Sequence, residues 1–229
     1  MKLINNINTL YDKAPFMSAH KGVVSIYELN NADTKQVDVN KAGVDFFLMD
    51  QSFYKNQPNI TTDKSNLFHD SDCDGVIFYE ENDRQNILTI ELKSGFSGSE
   101  IQKGYKQIYF TLLKLHSLLS ICEDFDFSKY QITAYLACQP VKDKNEESQI
   151  LQRLSEKQMA GDTLTITDQV IHHHLLKSDK VVKCKVKDNG LTNSFLKQNL
   201  STDILDQTIT YRLFTMPYLN AHQGKLTLP

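Results

Sequence analysis

The chain has 229 residues, 40% of them hydrophobic, with 25 Lys and Arg against 28 Asp and Glu and a formal net charge of −3. That supplies apolar material for one large globular domain, and no apolar run reaches the length of a membrane span. The acidic balance, with a pI near 6.2, excludes the broadly basic surface with which proteins grip duplexes unaided, so any nucleic-acid affinity has to come from local cationic patches or a partner.

Met1-Lys2-Leu3-Ile4-Asn5-Asn6 has neither the apolar h-region of a signal peptide nor a membrane span, so a cytoplasmic location without membrane contact is expected. Leu3 to Lys13 has the spacing of a short helix, and Gly22 to Leu29 that of a strand ending at the polar turn Asn30-Asn31-Ala32-Asp33. Asp45 to Tyr54 is aromatic and fits either element. Asn56 to Asp70 is polar, contains Pro58 and reads as a loop.

Two short apolar runs follow, Gly75 to Tyr79 and Ile87 to Leu92, around the polar stretch Glu80-Glu81-Asn82-Asp83-Arg84-Gln85-Asn86, the pattern of a β-hairpin. With the turn centred near Asp83 and Arg84, antiparallel pairing sets Asp74 opposite Lys93 with Glu91 as its diagonal neighbour, to within one or two residues of register. The period of two puts Thr89, Glu91 and Lys93 on one face and Ile90 and Leu92 on the other. Asp72 lies on the same strand face as Asp74 and is its alternative. Two carboxylates and an ammonium therefore converge at one end of the hairpin. Oxygen ligands of this kind suit Mg²⁺ or Mn²⁺, which would polarise a phosphate and make a nucleophile of water at neutral pH. Lys93 would orient or help deprotonate that water, or stabilise charge on phosphorus. Gly95, Gly98 and the serines between them offer a loop that a nucleic-acid backbone can approach closely. The ordinary account of the same residues is a solvated Glu/Lys face, worth a few tenths of a kcal/mol.

Ser99 to Leu119 carries Ile101, Tyr105, Ile108, Leu112, Leu115 and Leu119 at helical spacing, with Lys103, Lys106 and Lys114 between them. Gln131 to Cys138 alternates as a strand. The charged Lys142 to Gln149 is a linker or an exposed helix start, followed by a polar helix near Glu146 to Met159 and a strand near Thr163 to Ile166. Val182 to Lys187 alternates, placing Lys183, Lys185 and Lys187 on one strand face, either for nucleic-acid contact or as a protected sheet edge. An apolar tail spans Ile209 to Leu219. Residues 1–140 are expected to hold the core, and 141–229 to complete or flank the same domain. Cys73, Cys122, Cys138 and Cys184 lack paired spacing, which argues against disulfides and structural zinc. His172-His173-His174 cannot all face one ion from a helix, where neighbours point about 100° apart, and are better read as a surface segment lending an imidazole to phosphate. The acidic run Glu123-Asp124-Phe125-Asp126 reads as a solvated loop rather than a cation site.

An aspartate opening one strand, followed after a hairpin by E-x-K in the next, resembles the PD-(D/E)xK nuclease superfamily over about Asp72 to Gln107. The resemblance implies an α/β restriction endonuclease-like core, with a mixed central sheet flanked by helices. Asp74 and Glu91 would hold metal with the carbonyl of Leu92, and Lys93 would assist the attacking water. A helix glutamine would join the site, Gln107 in G-Y-K-Q-I ahead of Gln102, and the N-terminal region would add a further acid, Asp12 or Glu28. The chain has Cys73 where the family label has proline, and it lacks the Q-x-x-x-Y of RecB-type exonucleases. The implied activity is Mg²⁺- or Mn²⁺-dependent cleavage of DNA, with RNA left open, in an effector of anti-phage defence. Lys103, Lys106, Lys183, Lys185 and Lys187 would touch nucleic acid, and a partner subunit such as an ATPase or sensor protein would assist. The alternative is a non-catalytic subunit of that fold, binding a partner protein or nucleic acid in a defence complex.

Overall fold

The computed structural model describes residues 7, 16–28, 35–55, 72–123, 125–178, 180–192, 194–216 and 223–228. The helix expected over Leu3 to Lys13 with Asp12, the turn Asn30-Asn31-Ala32-Asp33, the loop Asn56 to Asp70 and Asp124 lie wholly or mostly outside these residues. The protein is α/β, with one mixed, open, eight-stranded sheet flanked by helices. The strands are β1 (Met17–Tyr27), β2 (Gln36–Met49), β3 (Gly75–Glu81), β4 (Arg84–Lys93), β5 (Tyr130–Cys138), β6 (Val182–Lys185), β7 (Thr208–Thr215) and β8 (Gln223–Thr227). They run in the order β1-β2-β3-β4-β5-β7-β6, with β8 on β2. β1 to β4 form an antiparallel meander, β5 and β7 extend it in parallel with β4, and β6 closes the edge antiparallel to β7. Residues 141–229 thus contribute three strands to this sheet.

The helices are α1 (Gln51–Lys55), α2 (Gly98–Leu119), α3 (Lys144–Met159), α4 (Ile166–Leu175), α5 (Ser194–Asn199) and α6 (Thr202–Leu205). Among the described residues no helix is long and apolar enough to cross a membrane. α2 starts where Ser97 accepts from the amide of Glu100, and the six apolar residues at its helical spacing are all buried on the sheet. Each such side chain contributes roughly 1.5–3 kcal/mol, which explains why this helix dominates one face.

The other face has a separate core of Val24, Ile26, Val37, Val39, Ile77, Leu88 and Ile90 with their neighbours. It exists because β2 bends. Phe46 to Leu48 pair with β3, whereas Gln36 to Asn40 pair with β8 on the same side of the strand. The bend coincides with a register break against β1 at Gly22 and Gly43, whose φ angles of 69° and 76° suit only glycine without strain.

Three expectations need correction. The hairpin turn is centred on Asn82 and Asp83, both left-handed with φ of 49° and 60°, a two-residue turn that Asn and Asp tolerate. Gly75 therefore pairs with Ile90, and the same register sets Asp74 level with Glu91 rather than Lys93. Thr163 to Ile166 is no strand. Thr165 and Asp168 form a capping box that opens α4. β6 ends at Lys185, and Val186–Asp188 turn as a 3₁₀ helix, so Lys187 leaves the strand.

Burial alone would raise the Asp168 pKa, but bonds from Lys157 and Thr165 hold it below the ordinary 3.8. The group's stabilisation is therefore full above that value and fades as pH falls through the lower folded pKa. Asp168→Ala is expected to cost about 1–2 kcal/mol at neutral pH and less at pH 2 to 3. Urea unfolding at both pH values checks this, and an equal loss at both would remove the ionised cap from the account.

Candidate active site

The hairpin supplies the floor of the site and α2 its wall. Glu91 and Lys93 point from β4 toward α2, and α2 meets β4 and β5 so closely at Gly104 that a Cβ there would overlap Leu136 Cδ1 and lie 3.3 Å from Glu91 Cγ. Three residues on, Gln107 reaches the β4 lysine. Lys93 Nζ donates to Glu91 Oε1 at 2.6 Å and to Gln107 Oε1, which occupies two of its three donors. Asp74 enters from β3, and its Oδ2 accepts from the amide of Leu92 at 2.9 Å. Asp74, Glu91, Lys93 and Gln107 are thus gathered at one end of the hairpin. All but Gln107 are more than nine-tenths buried.

Asp72 has a different partner. Lys114 Nζ donates to its Oδ1 at 2.7 Å and its Oδ2 at 2.9 Å, while Gln107 Nε2 donates to its carbonyl at 3.3 Å. Thr111 Oγ1 accepts from the amide of Cys73 at 2.9 Å. Gln107, Thr111 and Lys114 lie along one stripe of α2 and hold the segment entering β3. Lys114 is therefore an internal tie and not a surface cation, a correction to its reading beside Lys103 and Lys106. On the opposite side Gln51 Nε2 donates to the carbonyl of Asp74, and Tyr54 Oη donates to that of Cys73 at 3.2 Å. Gln51 also lines a cavity of 240 Å³ beside Asp74 with Asp50, Ser18 and Ser25. Sequence reasoning missed Gln51, Tyr54, Thr111 and Lys114. Their partners lie 19 to 42 residues away, and no local pattern marks them.

Three carboxylates (Asp72, Asp74, Glu91) and two ammonium groups (Lys93, Lys114) are buried together. Burial first, and then the fields of Glu91, Asp74 and Asp72, push the Cys73 thiol far above its usual range. Tyr54 is raised by burial and by the same charges. Both groups stay protonated and serve as neutral packing.

The other expected residues are dispersed. Gln102 is exposed and lines a small cavity with Asn189 and Tyr211. Glu28 pairs with Lys35 at 2.6 Å. Lys103 is exposed on α2, and Lys106 lies over the Phe110 ring. Lys185 and Lys187 both reach Asp206, at 3.4 and 2.6 Å, while Lys183 is exposed on edge strand β6. Asp126 caps a 3₁₀ turn through Ser128, so that carboxylate serves local structure. The three histidines sit half-buried at the end of α4, and the ring of His174 meets that of Phe96.

As a fit for a divalent cation, Asp74, Glu91 and the Leu92 carbonyl offer an oxygen-only donor set among buried residues. Among the described residues no group of three His, Cys, Asp or Glu side chains gathers as a metal cluster, so two carboxylates are what the site offers. No protein-family model, curated protein or solved structure matches the chain. What the fold defines is an α/β protein with a mixed open sheet.

The Asp72–Lys114 pair is the most exposed to test. Lys114→Met strands a buried carboxylate and should cost about 3–5 kcal/mol in denaturant unfolding. Asp72→Leu combined with Lys114→Met should recover most of it. A single-variant loss below about 1 kcal/mol would mean the pair does not hold α2 to β3.

Proposed function

We propose that the protein is a metal-dependent nuclease with a restriction endonuclease-like core, hydrolysing phosphodiester bonds in DNA. The observation that carries this reading is Lys93, whose ammonium is held between Glu91 and Gln107 beside a carboxylate, Asp74, fixed on the next strand. A solvated Glu/Lys face gives no reason to bury these charges together, nor to bring a helix glutamine onto the lysine.

The donor set fits Mg²⁺ or Mn²⁺, held by Asp74, Glu91 and the carbonyl of Leu92, and the bound ion would supply Lewis acidity toward the phosphate oxygens. Hydrolysis adds a water oxygen to phosphorus as the bond to the leaving sugar oxygen breaks, and the proton lost by water ends on that oxygen or in solvent. Lys93 keeps one donor for the attacking water or a phosphate oxygen, and Glu91 and Gln107 fix where that donor points. The Leu92 amide holds the Asp74 carboxylate in one orientation, so little reorganisation is needed when charge develops.

Cleavage of duplex DNA, single-stranded DNA and RNA should be followed in Mg²⁺ and in Mn²⁺. The wild type is expected to cut, Lys93→Ala to lose about 100-fold or more in rate at a temperature where circular dichroism shows the variant still folded, and chelation to stop the reaction. Asp74→Ala should weaken Mn²⁺ binding in calorimetry. Cutting that survives in Lys93→Ala would sink the assignment. A folded wild type that cuts none of the three would leave a binding protein built on the same core.

A further inference from the structure

A cavity of 60 Å³ lies on the α2 side of the sheet, between α2, the first turn of α4 and the loop after β6. At about 30 Å³ for a water molecule, its volume is that of two waters. Tyr211 on β7 forms its floor. That residue is level with Ala134 on β5 and Thr89 on β4, so it shares the sheet face of Glu91 but stands two strands away. Tyr105, next to Gly104 on α2, meets the Tyr211 ring edge to face at 5.3 Å and donates its own hydroxyl to the carbonyl of Arg212 at 2.9 Å. Ile166 and Leu191 complete the apolar walls, while Gln102 and Gly190 at the rim are exposed.

Two buried donors face this space. Asn189 is 5% exposed and Tyr211 1%, and neither Asn189 Nδ2 nor Tyr211 Oη has a hydrogen-bond partner among the described residues. The orientation of the Asn189 amide is fixed, because its Oδ1 accepts from the backbone amides of Leu191 at 2.8 Å and Thr192 at 3.1 Å. Its NH₂ group therefore points the other way. Burial raises the Tyr211 pKa, and the Asn189 amide beside the phenol opposes that rise without closing a hydrogen bond to it. The phenol stays protonated, so two donors stand side by side. Leaving them unpaired is costly, and one acceptor oxygen between them satisfies both.

The charge of that acceptor follows from its surroundings. No charged side chain lines the cavity among the described residues, and the chain from Asn189 to Phe195 carries none. The first turn of α4 offers the positive end of a helix, but Asp168 already occupies it through the capping box, with Lys157 on its carboxylate. A second anion there would be desolvated without a cation of its own. A neutral oxygen carries no such cost.

We propose that this cavity binds a small ligand through a neutral carbonyl group of the carboxamide kind, whose oxygen accepts from Asn189 Nδ2 and Tyr211 Oη. The apolar part of the ligand lies against Tyr105, Ile166 and Leu191, and anything larger extends past Gln102 into solvent. The site is separate from Asp74, Glu91 and Lys93 and stands independently of the nuclease reading.

The test titrates the isotope-labelled full chain with acetamide, acetate and acetamidinium, which share one shape but differ in charge and in acceptor oxygen, and follows the amide resonances by NMR. Acetamide is expected to shift the Asn189 side-chain amide and the Gly190 and Leu191 backbone amides saturably, with Kd in the millimolar range. Acetate should bind at least tenfold more weakly, and acetamidinium, which has no acceptor oxygen, not at all. Tyr211→Phe keeps the ring and removes one donor. It should raise the acetamide Kd about threefold to tenfold in a protein whose thermal unfolding shows it folded. No saturable shift in the wild type, the result if the cavity takes water alone, overturns the proposal. Equal binding of all three compounds, or an unchanged Kd in Tyr211→Phe, overturns it as well.

Discussion

The close approach of α2 to β4 and β5 at Gly104 decides where everything else in the site can be. Because no Cβ stands there, the helix settles directly over Glu91 and Leu136. At 100° per residue, Gly104, Thr111, Gln107 and Lys114 fall within an arc of about 80°. One stripe of one helix therefore touches the sheet, the lysine of β4 and the acidic segment entering β3 in succession. A helix held a methyl group further out would leave Gln107 short of Lys93 and Lys114 short of Asp72. The geometry of the candidate site is in that sense a packing result, set by apolar burial along α2 and only then refined by hydrogen bonds.

That packing carries an electrostatic cost, and the arrangement of partners is what offsets it. Burying five charges is expensive unless each has a partner and hydrogen bonds to go with it. Lys114 meets Asp72 with both oxygens engaged, and Lys93 meets Glu91. Asp74 accepts from a backbone amide. A site that only needed stability would be better served by apolar residues of the same volume, which commonly match or exceed a buried ion pair.

The local pattern carried the hairpin, the face shared by Glu91 and Lys93, and α2, because alternation and helical spacing act over a few residues. It placed the turn one residue late. Asn82 and Asp83 were read as part of a polar stretch and not as the pair that tolerates left-handed φ. The same blindness to local side-chain chemistry made a strand of Thr163 to Ile166, where T-x-x-D was a capping box. Lys114 looked like a surface cation on an amphipathic helix, since nothing nearby announces Asp72 as its partner. The bend of β2 and the parallel seating of β8 on it depend on contacts more than 180 residues apart in sequence, which no window reports.

Beyond the two carboxylates, the surroundings of the candidate site follow from the direction of the strands. β4, β5 and β7 are parallel, so Lys93, Cys138 and Thr215 end together, and the connections leaving them crowd one end of the sheet. Those connections bring Phe96 onto His174 and set the Arg153 guanidinium near the first residue of α2 at Gly98. In open α/β sheets the carboxyl ends of parallel strands are where ligands are received, because the loops there are freed from pairing while the strands beneath stay rigid. Here the pocket of Asp74, Glu91 and Lys93 sits at that end, over the rigid ends of β4 and β5.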